Sequence, residues 1–430
     1  MKKLIIYICF TLISAVILSV NTFAAPLILS EAVILIDGDS GQVLFEKNMH
    51  KKMYPASITK VMTALIALER GNLQDIIIMS YDAAFSVGRD TSNIALGEDE
   101  RLTLEQALYA LAIESANDAS NGIAELISGS MENFAEKMTE RAAELGAFNT
   151  NFTNAHGLPD VEHYTTAYDI ARIMAAAVKI PEFNEIFSTV VYQMPATNIQ
   201  PEPRVFNRRN SLIEGPNQYG GVIAEKIGWT GAAGHTYIAA AKRSGRTLIA
   251  AVIKSPDPLS RWQDASALFD YGFNEFIPVS FTADEFRKEQ YTIDYTDRDK
   301  ISANLIPAED FTCLIPKYLN KEDIEIEYII DTENAAGKAV FSIKSDFTFT
   351  ELGEVSLQIE FNALDIPINN NIIRNDEQET KSRITVIFQI IGWIVLGVLS
   401  LYIILFVRCK IIIRQRKKRK LDYYNAMYKR

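Results

Sequence analysis

Cysteine is almost absent, with three in 430 residues. Cys9 lies in an apolar N-terminal run and Cys409 beside a basic C-terminal one, so Cys313 stands alone in the body. That excludes an intrachain disulfide framework there and any Cys-x-x-Cys metal site. Histidine is sparse too: His50, His156, His163 and His235 form no His-Glu-x-x-His pair, which removes the zinc-peptidase helix. Neither a Gly-x-Ser-x-Gly elbow nor a Walker-type phosphate loop occurs, and there is no internal repeat. Basic charge is scarce where it would matter for nucleic acid. Set aside Lys2, Lys3 and residues 408–430, which hold ten Lys/Arg against Asp422, and 31 basic residues face 53 acidic ones. A body that acidic repels phosphate backbones, so no nucleic acid is expected as its partner. An apolar share of 48% with 23% charged residues excludes both a disordered chain and a polytopic membrane protein. The length accommodates two domains.

The ends carry sorting information. Lys2 and Lys3, the apolar run from Leu4 to Val20 and Thr22-Phe23-Ala24 read as a secretory signal over residues 1–24. An uncleaved anchor is the alternative. Ile384 to Val407 is a stretch of 24 residues without a charge, about 36 Å as a helix against a hydrocarbon core of about 30 Å. It predicts one C-terminal transmembrane helix. The basic tail 408–430 places the C-terminus in the cytoplasm and the body outside the cytoplasmic membrane.

Between the ends, Ala32 to Ile36 and Gln42 to Lys47 predict a hairpin about Asp37-Gly38-Asp39-Ser40-Gly41. Apolar spacing predicts helices over Ser57 to Glu69, Leu102 to Ile113, Asn117 to Ile127, Asn133 to Leu145 and Thr166 to Val178. The second and third of these are separated by a break at Glu114-Ser115-Ala116. Strand character returns at Val222 to Ile227, His235 to Lys242 and Thr247 to Ile253, before a helical pattern from Ser260 to Phe269. Strands bracketing a helical middle imply one sheet with helices packed on it, an α/β (α+β) domain over residues 25–277. Short alternating runs at Tyr291 to Tyr295, Ile324 to Ile330, Ala339 to Ile343 and Glu354 to Phe361 predict a small all-β domain over 278–361. A polar linker follows over 362–383.

Gly38-Asp39-Ser40-Gly41 looks like the nucleophile segment of trypsin-like proteases. Those enzymes place His and Asp before that Ser, whereas all four histidines here follow it. A turn between strands accounts for it. Ser57-Ile58-Thr59-Lys60 has more content: a hydroxyl and an amine at i, i+3 share one helical face. A serine needs a base to attack a carbonyl, and a lysine can serve if its proton is driven off, since burial, a second cation nearby and the positive end of a helix all push its pKa downward. A capping serine beside a solvated lysine is the bland alternative. Ser115-Ala116-Asn117 lies at a helix break, where side chains face a cleft, though Ser and Asn are also ordinary caps. Lys226-Ile227-Gly228-Trp229-Thr230 ends a strand, its glycine permitting close backbone approach. An edge-strand lysine that deters aggregation would look the same.

In this order the three segments resemble those of the serine D-alanyl-D-alanine carboxypeptidases, the low-molecular-mass penicillin-binding proteins (peptidase S11-like). The likeness runs through Tyr54-Pro55-Ala56-Ser57-Ile58-Thr59-Lys60-Val61-Met62-Thr63-Ala64, Ser115-Ala116-Asn117-Asp118-Ala119, Asn154-Ala155-His156-Gly157-Leu158 and Lys226 to Thr230 with Ala233-Gly234. It spans about Ala32 to Phe273 and continues into a β-rich segment where that family carries one. The resemblance implies a serine β-lactamase/penicillin-binding-protein-like catalytic domain that removes the terminal D-alanine from peptidoglycan stem peptides. It also implies β-lactams as covalent inhibitors and no cofactor or metal. Ser57 would be the nucleophile, Lys60 its base and Ser115 a proton relay. Asn117, Lys226, Gly228 and Trp229 would bind substrate, the backbone N–H groups of Ser57 and Trp229 forming the oxyanion hole. Arg261 would hold the terminal carboxylate. One position departs. Ile227 stands where the family pattern has threonine, deleting a hydroxyl that would bond that carboxylate. A feebly active, wall-associated binding relative is therefore a second expectation, and a β-lactamase a third.

Overall fold

The computed structural model describes residues 25–361, apart from 209–210, 295–299, 332–333, 335 and 345–348. The expected signal, linker, membrane helix and basic tail lie outside the described residues. Among the described residues no helix is long and apolar enough to cross a membrane. Two units divide the described residues, 25–289 with 304–360, and 290–303 with 361.

A five-stranded antiparallel sheet organises the larger unit. Its order is Val43–Lys47, Ala32–Asp37, Arg246–Ser255, Gly234–Arg243 and Val222–Thr230. The sequence alternates between two buried faces, as a period of two requires. Ile34, Ile36, Ile249, Ala251 and Ile253 pack on one side with helices Lys60–Arg70, Leu104–Ile113, Asn117–Ser128 and Ala167–Ala177. Val33, Leu35, Leu248, Ala250 and Val252 pack on the other with the Pro258–Glu275 helix. Burial on both faces is why these strands read as nearly continuous apolar runs.

The hairpin and the central helices form where expected. Helix starts are fixed by side chains. Thr103 closes a capping box with Gln106, Thr166 accepts from the Asp169 N–H, and Asp257 accepts from Leu259 and Ser260 with Pro258 at the first helical position. The protease-like segment is the turn after Asp37, whose carboxylate accepts from the Ser40 N–H at 2.9 Å and hydroxyl at 2.7 Å. Gly41 supplies the positive φ that ends the turn.

Beyond the expected elements are a Pro181–Ser188 helix and two short ladders, Ile76–Ile78 with Arg101–Thr103 and Val191–Met194 with Arg204–Asn207. The strand from Phe276 to Phe281 pairs with Phe311–Pro316, and Ile324–Asp331, Ala336–Lys344 and Phe349–Phe361 form an antiparallel meander. Gln42 bonds both backbone groups of Leu314, tying the hairpin to the first of these pairs.

Candidate active site

The Ser57 to Glu69 expectation resolves into two pieces. Ala56–Thr59 is a 3₁₀ turn, and the α-helix begins at Lys60. In a 3₁₀ turn residues three apart eclipse, which stacks Ser57 over Lys60. Ala56 holds φ +52°, a left-handed conformation that a residue with a Cβ adopts at a cost of about 1–2 kcal/mol. Two neighbours hold it there. A side chain on Gly157, itself at φ +88°, would meet the Ala56 carbonyl oxygen at 1.9 Å. One on Gly228 would meet the Ser57 nitrogen at 2.8 Å and Thr236 Oγ1 at 2.4 Å. Only glycine allows the Asn154–Leu158 loop and the edge strand to press this closely on the serine turn.

Lys60 is fully buried and its Nζ meets three oxygens: Asn117 Oδ1 at 2.7 Å, the His156 carbonyl at 2.7 Å and Ser57 Oγ at 3.2 Å. The two carbonyls accept two N–H bonds and donate nothing. A neutral amine thus spends both hydrogens on them and turns its lone pair to the Ser57 hydroxyl. Burial pushes Lys60 well below the ordinary lysine range, and the positive charge of Lys226 adds to it while Asp118 opposes.

Asn117 opens the Asn117–Ser128 helix, its orientation fixed by Nδ2 donating to Thr91 Oγ1 at 3.1 Å. Asp118 beside it accepts from the N–H groups of Ile94 and Leu96, holding the strip that carries Thr91 to Leu96 against the helix start. Ser115, in the break, has φ +60° and a buried Oγ with no hydrogen-bond partner among the described residues. A strained residue with an unpaired hydroxyl is a common mark of a site.

Lys226 is buried on the edge strand, its Nζ bonded only to the Ile227 carbonyl at 3.1 Å among the hydrogen bonds it makes with described residues. Burial takes it down to about 7, with Arg208 and Arg261 pushing the same way against Glu225. Arg261, near the start of the Pro258–Glu275 helix, is buried with its Nε unpaired among the described residues and its guanidinium over Trp262. Trp229 is 62% exposed beyond Gly228, on the strand's outer edge, where among the described residues no further strand pairs in this sheet.

Ser57, Lys60 and Asn117 are therefore joined by hydrogen bonds, Gly228 packs on the Ser57 backbone, and Lys226 reaches Lys60 through its charge. Ser115 lies two residues from Asn117, and Arg261 touches the group through its charge on Lys226. Sequence reasoning missed the His156 carbonyl, which no side-chain pattern announces, and Thr91. It also missed a buried trio behind Lys226: Glu225 accepts from Tyr237 Oη at 2.5 Å and from Arg208 Nη1 at 3.4 Å. A glutamate beside Lys226 within a largely apolar strand was the available signal, since a buried charge needs partners.

The family model for peptidase S11, D-alanyl-D-alanine carboxypeptidase, matches residues 19–257, more than half of the chain. The chain belongs to this family. Among S11 relatives, D-alanyl-D-alanine carboxypeptidase DacF of Bacillus subtilis is 36% identical over 252 residues, 57% of this chain and 63% of that protein. DacA of Haemophilus influenzae is 28% identical over 384 residues, 88% of this chain and 91% of that one. The crystal structure of penicillin binding protein 5 from Haemophilus influenzae superposes with TM-score 0.63 at 27% identity, covering 78% of this chain and 98% of the other. At that coverage the likeness to an S11 structure passes beyond the catalytic part into the β-rich segment. The fold is thus a penicillin-binding-protein-like catalytic domain followed by an all-β domain.

Proposed function

We propose that the protein is an active serine acyl-enzyme that removes the terminal D-alanine from peptidoglycan stem peptides. What carries the reading is the Lys60 amine, held by two carbonyl acceptors with its remaining position directed at Ser57 Oγ. Ser57 Oγ attacks the carbonyl of the penultimate D-alanine and its proton passes to Lys60 Nζ. The C–N bond to the terminal residue breaks, and the leaving amine takes a proton from Lys60 through Ser115. Water then adds to the acyl-serine ester and frees the enzyme. Asn117 receives the peptide amide, while Lys226 and Arg261 hold the terminal carboxylate, a task suited to a buried guanidinium with an unpaired N–H. The Ser57 and Trp229 backbone N–H groups stabilise the oxyanion, in most acyl transfers a large share of the rate. β-Lactams are expected to acylate Ser57 by the same route.

The sequence features at both ends support a body displayed outside the cytoplasmic membrane, anchored by residues 384–407 with the basic tail inside. Release of free D-alanine from a peptide ending in D-Ala-D-Ala tests the activity: turnover by the wild type and none by Lys60→Met supports it. Ile227 favours a second reading, a wall-binding relative with feeble catalysis, because the strand that should receive the carboxylate lacks a hydroxyl there. Clear turnover by the wild type would end that reading.

A further inference from the structure

A cavity of about 350 Å³ opens beside the serine turn, lined by Glu31, Lys51, Lys52, Tyr54, Tyr164 and Lys254 among others. Its place is set by the same contacts that build the site. Tyr54 is three residues before Ser57, and the next carbonyl, that of Pro55, accepts from Thr236 Oγ1 at 2.8 Å across from Gly228. Ala232 and Ala233 line the opposite wall, directly after the free edge strand ends at Thr230. A backbone bridge between Met53 and Thr165 fixes the floor. Lys254 is held at φ +58°, its stem packed 3.3 Å from where a Gly234 side chain would begin.

Charge makes the cavity unusual. The body around it carries 31 basic against 53 acidic residues, yet three lysines meet one carboxylate here. Glu31 bonds both Lys51 and Lys254, which hold its carboxyl down at about 2. Lys52 forms no ion pair among the described residues and stands 4.2 Å over the Tyr164 ring. An ammonium donates three hydrogen bonds, so donors remain for a further anion.

A peptide that adds to the free edge strand advances about 3.3 Å per residue. With its terminal carboxylate toward Lys226 and Arg261, the chain upstream of the acylated carbonyl runs past Trp229 and Thr230 and reaches Ala232. We propose that this lysine-rimmed cavity binds a carboxylate on the residue that precedes D-Ala-D-Ala in the acyl donor, making the protein selective for stems with a free acid there. The proposal rests on the carboxypeptidase reading for what the donor is, but its measurement does not require turnover.

Two labelled peptides ending in D-Ala-D-Ala, identical except for a side-chain carboxylate or its carboxamide at the preceding residue, separate the outcomes. Equilibrium binding to the purified full-length chain is read by fluorescence anisotropy, and D-alanine release is assayed alongside. The acid peptide is expected to bind about tenfold more tightly than the amide, equivalent to about 1.4 kcal/mol. The preference should shrink as ionic strength rises. Lys52→Gln with Lys254→Gln should abolish it while leaving amide binding unchanged, and Glu31→Gln, which removes the competing anion, should enlarge it. Equal affinities in the wild type, or a preference indifferent to these substitutions, overturn the proposal even where D-alanine is released. A lysine-dependent preference without D-alanine release upholds the cavity and counts against the carboxypeptidase reading instead.

Discussion

Ile227 occupies a strand position that pairs with Tyr237 and is partly buried against the apolar layer beneath the Pro258–Glu275 helix. Its β-branch keeps the strand conformation that threonine would have. On the proposed function, what it removes is one hydrogen bond to the substrate carboxylate, worth about 1–3 kcal/mol, or about 5- to 150-fold. Ile227→Thr is therefore expected to raise kcat/KM for D-alanine release within that range, mainly through KM, and an unchanged value would show that the carboxylate is held without this position. The two lysines give a second expectation. Lys226 disfavours a second cation at Lys60, so replacing it by Gln lets Lys60 keep its proton to higher pH. The acid limb of β-lactam acylation against pH should move upward in Lys226→Gln, and a limb that stays or falls would contradict Lys60 as the base. At this scale the sequence was informative because the chemistry sits in side chains with recognisable spacing. The His156 carbonyl was illegible for the opposite reason: a backbone acceptor has no residue type.

Among the elements, the Asn154–Leu158 loop and the segment around His163 act as a clamp on the serine helix. His163 Nδ1 accepts from the Thr153 N–H at 3.0 Å while its Nε2 meets Thr59 Oγ1 at 2.9 Å, and His156 Nδ1 accepts from the Leu158 N–H at 3.1 Å. A ring nitrogen that accepts cannot also carry a proton, so both imidazoles are neutral. Burial first, with Lys60 nearby, lowers them to about 4 and about 3. The unfolded chain takes up these protons below about 6.5 and the native one does not, so stability is full above that pH and falls as pH drops toward 4. Two such groups give about 2.7 kcal/mol per pH unit at the steepest, above the range where carboxylates contribute. Urea unfolding at successive pH values should show that slope and a shallower one in His163→Asn; a flat profile from 6.5 to 5 would contradict it. Gly157→Ala should cost more than about 1 kcal/mol and slow acylation, since its Cβ displaces the carbonyl beside Ser57. Full stability and full acylation in that variant would refute the clamp. Long amphipathic helices were legible here through their 3.6 period. The Ile76–Ile78 and Val191–Met194 ladders were not, because three or four residues cannot establish an alternation.

For the whole molecule, the order of strands, helices and strands was enough to place one sheet under a helical layer, because both faces of that sheet had to be covered. Which segments meet across it was legible only through the likeness of the motifs to a family, since residues as far apart in sequence as Ser57 and Lys226 carry no spatial signal of their own. The proposed acylation calls on all of it at once: the turn pressed by Gly157 and Gly228, the buried amine, the amide and the edge strand. Incubating the full-length protein with a labelled penicillin and weighing it intact tests this most directly. The account predicts one drug-sized mass increment per chain, mapped to Ser57 and abolished by Ser57→Ala. A folded protein that gains no mass at high drug concentration, or gains it equally in Ser57→Ala, would contradict it.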